Sequence, residues 1–190
     1  MSKESVILVD EKDNQIGVMP KLEAHEKGLL HRAFSIFIFN NKYQLLLQKR
    51  AISKYHSGGL WTNTCCSHPK EGEDTLSAAI RRLDEEMGIK TSLRKVYDFI
   101  YKAKVGNSLI EHEFDHVFYG IYDSDPVLNK EEADDYKWID METLKNDIDK
   151  KMTRNLRPGV YTKISSFYEW ISKYTQEIQL VDGNIYQMEF

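Results

Sequence analysis

Two adjacent thiols, Cys65 and Cys66, stand just ahead of Ser67 and His68 in the run Trp61-Thr62-Asn63-Thr64-Cys65-Cys66-Ser67-His68-Pro69. Neighbouring α-carbons sit about 3.8 Å apart, too close for an unstrained disulfide. These are the only cysteines, so the chain is expected to carry free thiols, which suits a reducing cytosol. A second chemical feature is Glu111-His112-Glu113. On a strand, residues two apart share a face, so both carboxylates point together and His112 points away. Such a pair repels unless a cation or a proton sits between its members. A third feature is the run from His25 to His31. Together His25, His31, His68, Glu111 and Glu113 offer three imidazoles and two carboxylates, a donor set that suits Mn, Fe, Zn or a similar divalent ion. No short signature links them. His56, His112 and His116 read as ordinary surface or core histidines.

The clearest helix runs from Asp74 to Met87. Leu76, Ala79, Ile80, Leu83 and Met87 form one helical stripe. Asp74 can cap its start and Gly88 its end. Arg82, Glu85 and Glu86 share the polar side. Carboxylates there can hold a hard cation, which can in turn hold a diphosphate; for such a run alone, a surface helix with an i,i+4 Arg–Glu pair is the favoured reading.

The elements that must position these groups are mixed. Apolar runs at Ser5–Val9, Phe34–Phe39 and Gln44–Gln48 read as strands, the last two joined by a tight turn at Asn40-Asn41-Lys42. A short extended piece covers Leu60–Cys65. Val96–Ala103, Glu113–Tyr122 and Tyr136–Ile139 read as further strands. Met141–Lys151 and Tyr161–Tyr174 read as helices, and Ile178–Val181 with Ile185–Phe190 as a terminal hairpin. The 190 residues are 41% hydrophobic and 29% charged, with net charge −4. That composition excludes a disordered, collagenous or coiled-coil chain and suggests one domain. No basic excess points to nucleic acid or an anionic membrane. No secretory signal is evident, and no apolar run approaches the ~20 residues of a spanning helix. A cytoplasmic location is expected, with no nucleic-acid or membrane partner.

Glu73, Arg81, Leu83, Glu85, Glu86, Gly88 and Ile89 fit the Nudix box, with Ser67 in place of its Gly and Arg82 in place of a Glu. Thr62–Pro69, Gly28–Phe34 and the Glu111-His112-Glu113 strand then make the resemblance specific: roughly Val6 to Ile139 resembles the type 1 isopentenyl-diphosphate Δ-isomerase family, a Nudix-fold family. The resemblance implies an α+β fold, a Nudix-type α/β/α sandwich with a mixed sheet. It implies one domain over residues 1–190, with a core of about 30–140, additions at 1–29 and 141–190, and an extra C-terminal helix and hairpin. The implied activity is interconversion of isopentenyl and dimethylallyl diphosphate by protonation and deprotonation through a tertiary carbocation. Cys66 and Glu113 match the family's proton-transfer pair. His25, His31, His68, Glu111 and Glu113 match its ligands for Mn²⁺, Zn²⁺ or a similar ion. Glu86 and the Cys66 carbonyl match its Mg²⁺ site with the diphosphate. Lys21, Arg50, Lys54 and Arg82 match its diphosphate-gripping cations. Trp61, Tyr101 and Tyr161 are the aromatic candidates beside the carbocation. Tyr161 stands where the family has a Trp, ahead of Lys163-Ile164. The expected partner is a small diphosphate, and the expected state a monomer or weak dimer. The competing reading is a Nudix diphosphohydrolase, which Arg82 disfavours because a cation inside the glutamate cluster weakens its hold on several metals.

Overall fold

A computed structural model describes residues 4–54, 56–105, 108–149, 156 and 159–182. Strand β3 (His31–Phe39) organises it. It pairs in parallel along its whole length with β8 (Ile110–Ile121), and antiparallel with β4 (Gln44–Arg50), β6 (Cys65–Ser67) and β1 (Ser5–Val9). β2 (Gln15–Pro20) edges β1, β7 (Arg94–Lys104) edges β8, and β4 also carries β5 (Trp61–Thr62) and β9 (Ala133–Asp140). All nine described strands therefore belong to one mixed sheet.

Strand periodicity assigns each face of β3 its own core. Phe34, Ile36 and Ile38 point to one side, where Leu46, Cys65 and Phe118 join Ala78, Ala79, Leu83 and Met87 of helix α2 (Thr75–Met87). Phe37 and Phe39 point to the other, where Leu45, Leu47, Val117 and Tyr119 meet Leu144 of α3 (Met141–Asp149) and Val160, Ile164 and Phe167 of α4 (Val160–Asp182). The three α4 residues are four and three apart, one helical stripe. Phe167 stacks on Phe37 with ring centres 4.3 Å apart. Helices thus cover both faces of the sheet, an α/β/α arrangement.

Helix α2 starts and stops as its sequence dictates. Asp74 accepts from the Ser77 amide at 2.9 Å, and Gly88 ends the helix at φ +63. A side chain at Gly88 would also put its Cβ 2.7 Å from the Val127 carbonyl oxygen, so glycine is required there twice over.

Three elements differ from the sequence expectations. His25 lies on a short helix, α1 (Lys21–Lys27), for which no element was expected, closed by Gly28 at φ +61. Strand β2 was hidden because Ile16 and Val18 point outward, 67% and 38% exposed. The expected strand 178–181 instead continues α4 to Asp182: between Val160 and Asp182 there is no Gly or Pro to stop the helix. Residues 185–190 lie outside the described residues.

Candidate active site

Sheet register builds the site before any side chain is considered. Across three strands Tyr101 of β7, Glu113 of β8 and His31 of β3 are direct neighbours, and on the other flank of β3 Ser35 pairs with Cys66 of β6. Because Glu111, Glu113 and Asp115 are two apart on β8, all three project from the face that further along carries Val117 and Tyr119. One face is therefore polar at one end and apolar at the other. Cys65 takes the opposite side, and burial, with Glu86 beside it, pushes its thiol well up.

The Cys66 thiol donates to Asn63 Oδ1 at 2.8 Å. The amide of Asn63 is itself oriented, since its nitrogen donates to the carbonyls of Ile36 and Cys65 at 3.1 and 3.0 Å. Thr64 secures the same loop, donating to the Leu46 carbonyl and accepting from the Ile38 amide. The Thr-Asn-Thr segment is thus a bracket that aims the thiol. Cys66 and Glu113 line one cavity, together with His25, His56 and His68 and the cations Lys21 and Arg50.

The imidazoles of His25 and His31 are held by backbone carbonyls. Nδ1 of His25 and of His31 lie 2.7 and 2.8 Å from the carbonyls of Lys21 and Leu29. A carbonyl only accepts, so each Nδ1 carries the proton and each Nε2 keeps its lone pair. Burial lowers all three histidines, His25 to about 4 and His68 far below its ordinary value. They are therefore neutral at pH 7, the form that binds metals. One ligand atom each from His25, His31, His68 and Glu113 lies within 4.8 Å of the others. His31 Nε2 and both nitrogens of His68 are buried without a hydrogen-bond partner among the described residues. Buried nitrogens in that condition are costly unless something binds them, so the donor set fits a divalent ion.

Glu113 divides its two oxygens. Oε2 accepts from the Tyr101 hydroxyl at 2.6 Å and from Lys163 Nζ at 3.0 Å, while Oε1 lies 3.5 and 4.0 Å from Nε2 of His68 and His31. Burial alone would raise this carboxyl, but Lys163, His68 and His31 overcome it and hold it well below the usual carboxylate range. Asp115 goes the other way. Burial outweighs the pull of Lys163 and, with Glu113 nearby, takes it up to about 6.

From helix α2, Arg82 donates to Glu85 at 2.8 Å and Glu86 at 2.6 Å and lies 3.3 Å from Glu132, which also pairs with Lys54. Gln48 donates to the other Glu86 oxygen at 3.1 Å.

The NUDIX domain pattern matches residues 29–158. Isopentenyl-diphosphate Delta-isomerase 2 of Aromatoleum aromaticum is 56% identical over 149 residues, which is 78% of this chain and 79% of that protein. The chain belongs to the isopentenyl-diphosphate Delta-isomerase family. Its similarity to the member from Aliivibrio fischeri, 42% identical over 183 residues, takes in 89% of this chain and 99% of that one. The fold is that of Nudix proteins more widely. The crystal structure of DR0079 from Deinococcus radiodurans superposes with a TM-score of 0.70 over 86% of this chain and 98% of that one, at 18% identity. Nudix enzymes use divalent ions, and the His/Glu group is a place for one.

Set against this family's expected residues, the structure brings together Cys66, Glu113, His25, His31, His68, Lys21 and Arg50. Glu111 groups instead with His25 and His56 as a second possible donor set, and it accepts from Tyr101 at 3.1 Å. Lys54 and Arg82 meet through Glu132. The Trp61 ring lies under Lys137 Nζ, 4.6 Å from its centre, and packs on the α4-side core. The side chain of Tyr161 lies outside the described residues. Of the three histidines that sequence reasoning set aside, His112 holds the Gly28 carbonyl at 3.0 Å, His116 sits between Asp13 and Asp98, and His56 lines the cavity. That reasoning gave no role to Asp115, Ser35 or Lys163. For Asp115 a signal existed, as it continues the Glu111, Glu113 alternation; Lys163 was marked only by the resemblance around Tyr161, and nothing in the spacing joined it to a partner 50 residues away.

Proposed function

We propose that this chain interconverts isopentenyl diphosphate and dimethylallyl diphosphate, with Cys66 and Glu113 as the proton-transfer pair. The observation that carries the reading is that this thiol and this carboxylate line one cavity with two cations, Lys21 and Arg50. A simple alkene is a weak base, so double-bond migration needs one group that delivers a proton and another that removes one. Delivery to the terminal methylene carbon leaves a tertiary cation. Removal of a proton from the carbon beside the diphosphate-bearing one then forms the internal double bond. One proton enters, one leaves, and the composition is unchanged. Lys21 and Arg50 hold the diphosphate, aided by Lys54 and Arg82. Tyr101, whose hydroxyl is committed to Glu113, offers its ring to the cation, an attraction on the order of 2 kcal/mol when desolvated.

His25, His31, His68, Glu111 and Glu113 would hold a Mn²⁺, a Zn²⁺ or a similar ion, and Glu86 with the Cys66 carbonyl would hold the Mg²⁺ that accompanies the diphosphate. A divalent ion supplies Lewis acidity and charge neutralisation. The protein's own part is to keep the imidazoles neutral, to point Glu113 and to aim the thiol. We further propose that the chain works in the cytoplasm as a monomer or weak dimer. The free thiols Cys65 and Cys66 support a reducing compartment.

A diphosphohydrolase reading is opposed by Arg82, which already engages Glu85 and Glu86 on α2. The deciding experiment is NMR of isopentenyl diphosphate with enzyme and Mg²⁺ in D₂O. Deuterated dimethylallyl diphosphate without phosphate release is expected. Phosphate release without isomer would install the hydrolase instead. Cys66→Ala and Glu113→Gln should each lower kcat by at least 10³-fold, in the range of lost acid–base catalysis, while cooperative melting is retained. Near-normal rates in both would remove the assigned pair.

A further inference from the structure

Lys163 is the side chain that the function above leaves unused, and it is 2% exposed. Burying an ammonium is costly unless it is closely paired. Here Nζ lies 3.0 Å from Glu113 Oε2 and 3.2 Å from Asp115 Oδ2, with the Tyr101 ring centre 4.9 Å away. Asp115 accepts from Ser35 Oγ at 2.7 Å, and that hydroxyl lies 3.8 Å from Cys66 Sγ. A continuous buried chain therefore runs from the carboxylate to the thiol, and its one cation comes from α4.

We propose that Lys163 is a positioning residue for Glu113: its ammonium joins the Tyr101 hydroxyl in holding Oε2, so that Oε1 alone is presented to the imidazoles, and it ties that carboxylate through Asp115 and Ser35 to the Cys66 thiol. Helix α4 is built to deliver it. Gly159 precedes the helix at φ +87, and a Cβ there would lie 2.9 Å from Glu111 Oε2 and 3.3 Å from the Tyr101 ring. Lacking a side chain, it lets the helix start against the carboxylates. Lys163 follows one turn later, its amide bonded to the Gly159 carbonyl at 3.1 Å. Val160, Ile164 and Phe167 bury the flanking positions in the apolar core, which fixes the rotation of the helix. Second partners of this kind orient a metal's ligands and set how many atoms each one offers.

The inference rests on Glu113 being both ligand and proton carrier. Its test is therefore split between a measurement that needs no substrate and one that does. Mn²⁺ would be titrated into chelator-stripped wild type, Lys163→Met and the charge-compensated double variant Lys163→Met/Asp115→Asn, with free Mn²⁺ read by electron paramagnetic resonance. Removing one of the two donors on Oε2, and with it a neighbouring cation, should tighten Mn²⁺ at least ten-fold in both variants. Isomerisation kcat should fall at least 100-fold, with KM within three-fold of wild type. Tighter metal with slower turnover is a signature that general damage does not produce, since damage weakens both. Unchanged or weaker Mn²⁺ binding in a cooperatively melting variant overturns the proposal. So does loss of cooperative melting in both variants, which would assign Lys163 to the fold alone. Tightened Mn²⁺ beside a wild type that does not isomerise would sink the proposed function and keep this inference.

Discussion

At the residue scale the site is defined by which groups are forbidden to carry charge. His25, His31 and His68 are buried and neutral, while Glu113 is buried and ionised because a lysine stands behind it. This has a pH consequence for protein stripped of metal. His25 titrates at about 4 in the fold against its ordinary 6.5. The unfolded chain therefore binds more protons between those values, and stability rises with pH across that window. The contribution of His25 is fully present above pH 6.5 and is lost as pH falls toward 4, on the order of 3 kcal/mol. Thermal melts of stripped protein should drop in Tm between pH 6.5 and pH 4.5, and His25→Gln should flatten the slope. A Tm independent of pH in that range would contradict the neutral imidazole.

At the element scale, α2 and α4 do different work on opposite faces. Helix α2 packs Ala78, Ala79, Leu83 and Met87 into one core and carries Arg82, Glu85 and the buried Glu86 as a linked charge cluster beside it. Its start depends on Asp74, whose carboxylate takes the Ser77 amide. Asp74→Ala should cost about 1 kcal/mol, the usual worth of such a cap. A denaturant melt would read the loss, and isomerisation should be unchanged because Asp74 is remote from the cavity-lining set. Helix α4 instead joins core and site in one object, with Phe167 on the apolar end of its buried stripe and Lys163 on the polar end.

Whole-molecule stability and activity should therefore be coupled through α4. Phe167 is 1% exposed and stacked on Phe37. Phe167→Ala removes that contact and leaves a cavity, for an expected loss of about 3–5 kcal/mol. Because the same helix carries Lys163, the isomerisation rate should fall with the denaturation midpoint. Midpoint and kcat measured on one preparation check this, and a destabilised variant with full kcat would show that α4 holds Lys163 without its apolar anchor. The sheet is the other global device. The parallel pairing of β3 with β8 joins segments about 80 residues apart and sets His31 beside Glu113. A slip of one residue would turn Glu113 and Asp115 to the α2 side and bury them among Phe34, Ile36 and Leu83.

The sequence by itself determined the local and the chemical. The caps and stripe of α2, the turn-bounded strands, the thiol pair and the alternation of Glu111 with Glu113 are all written in spacings of a few residues, where backbone geometry alone decides which side chains share a face. The Thr-Asn-Thr-Cys-Cys-Ser-His-Pro run and the Nudix-like helix were legible for the same reason. Only the tertiary structure decided what meets across long separations. It joined Lys163 to Glu113, drew His56 toward His25 and Glu111, engaged Arg82 with Glu132, and carried residues 178–182 on as helix. A buried lysine and an exposed one look alike as letters in a chain. Whether its charge is costly or useful depends on the desolvation and the partners it acquires once helix and sheet have closed around it.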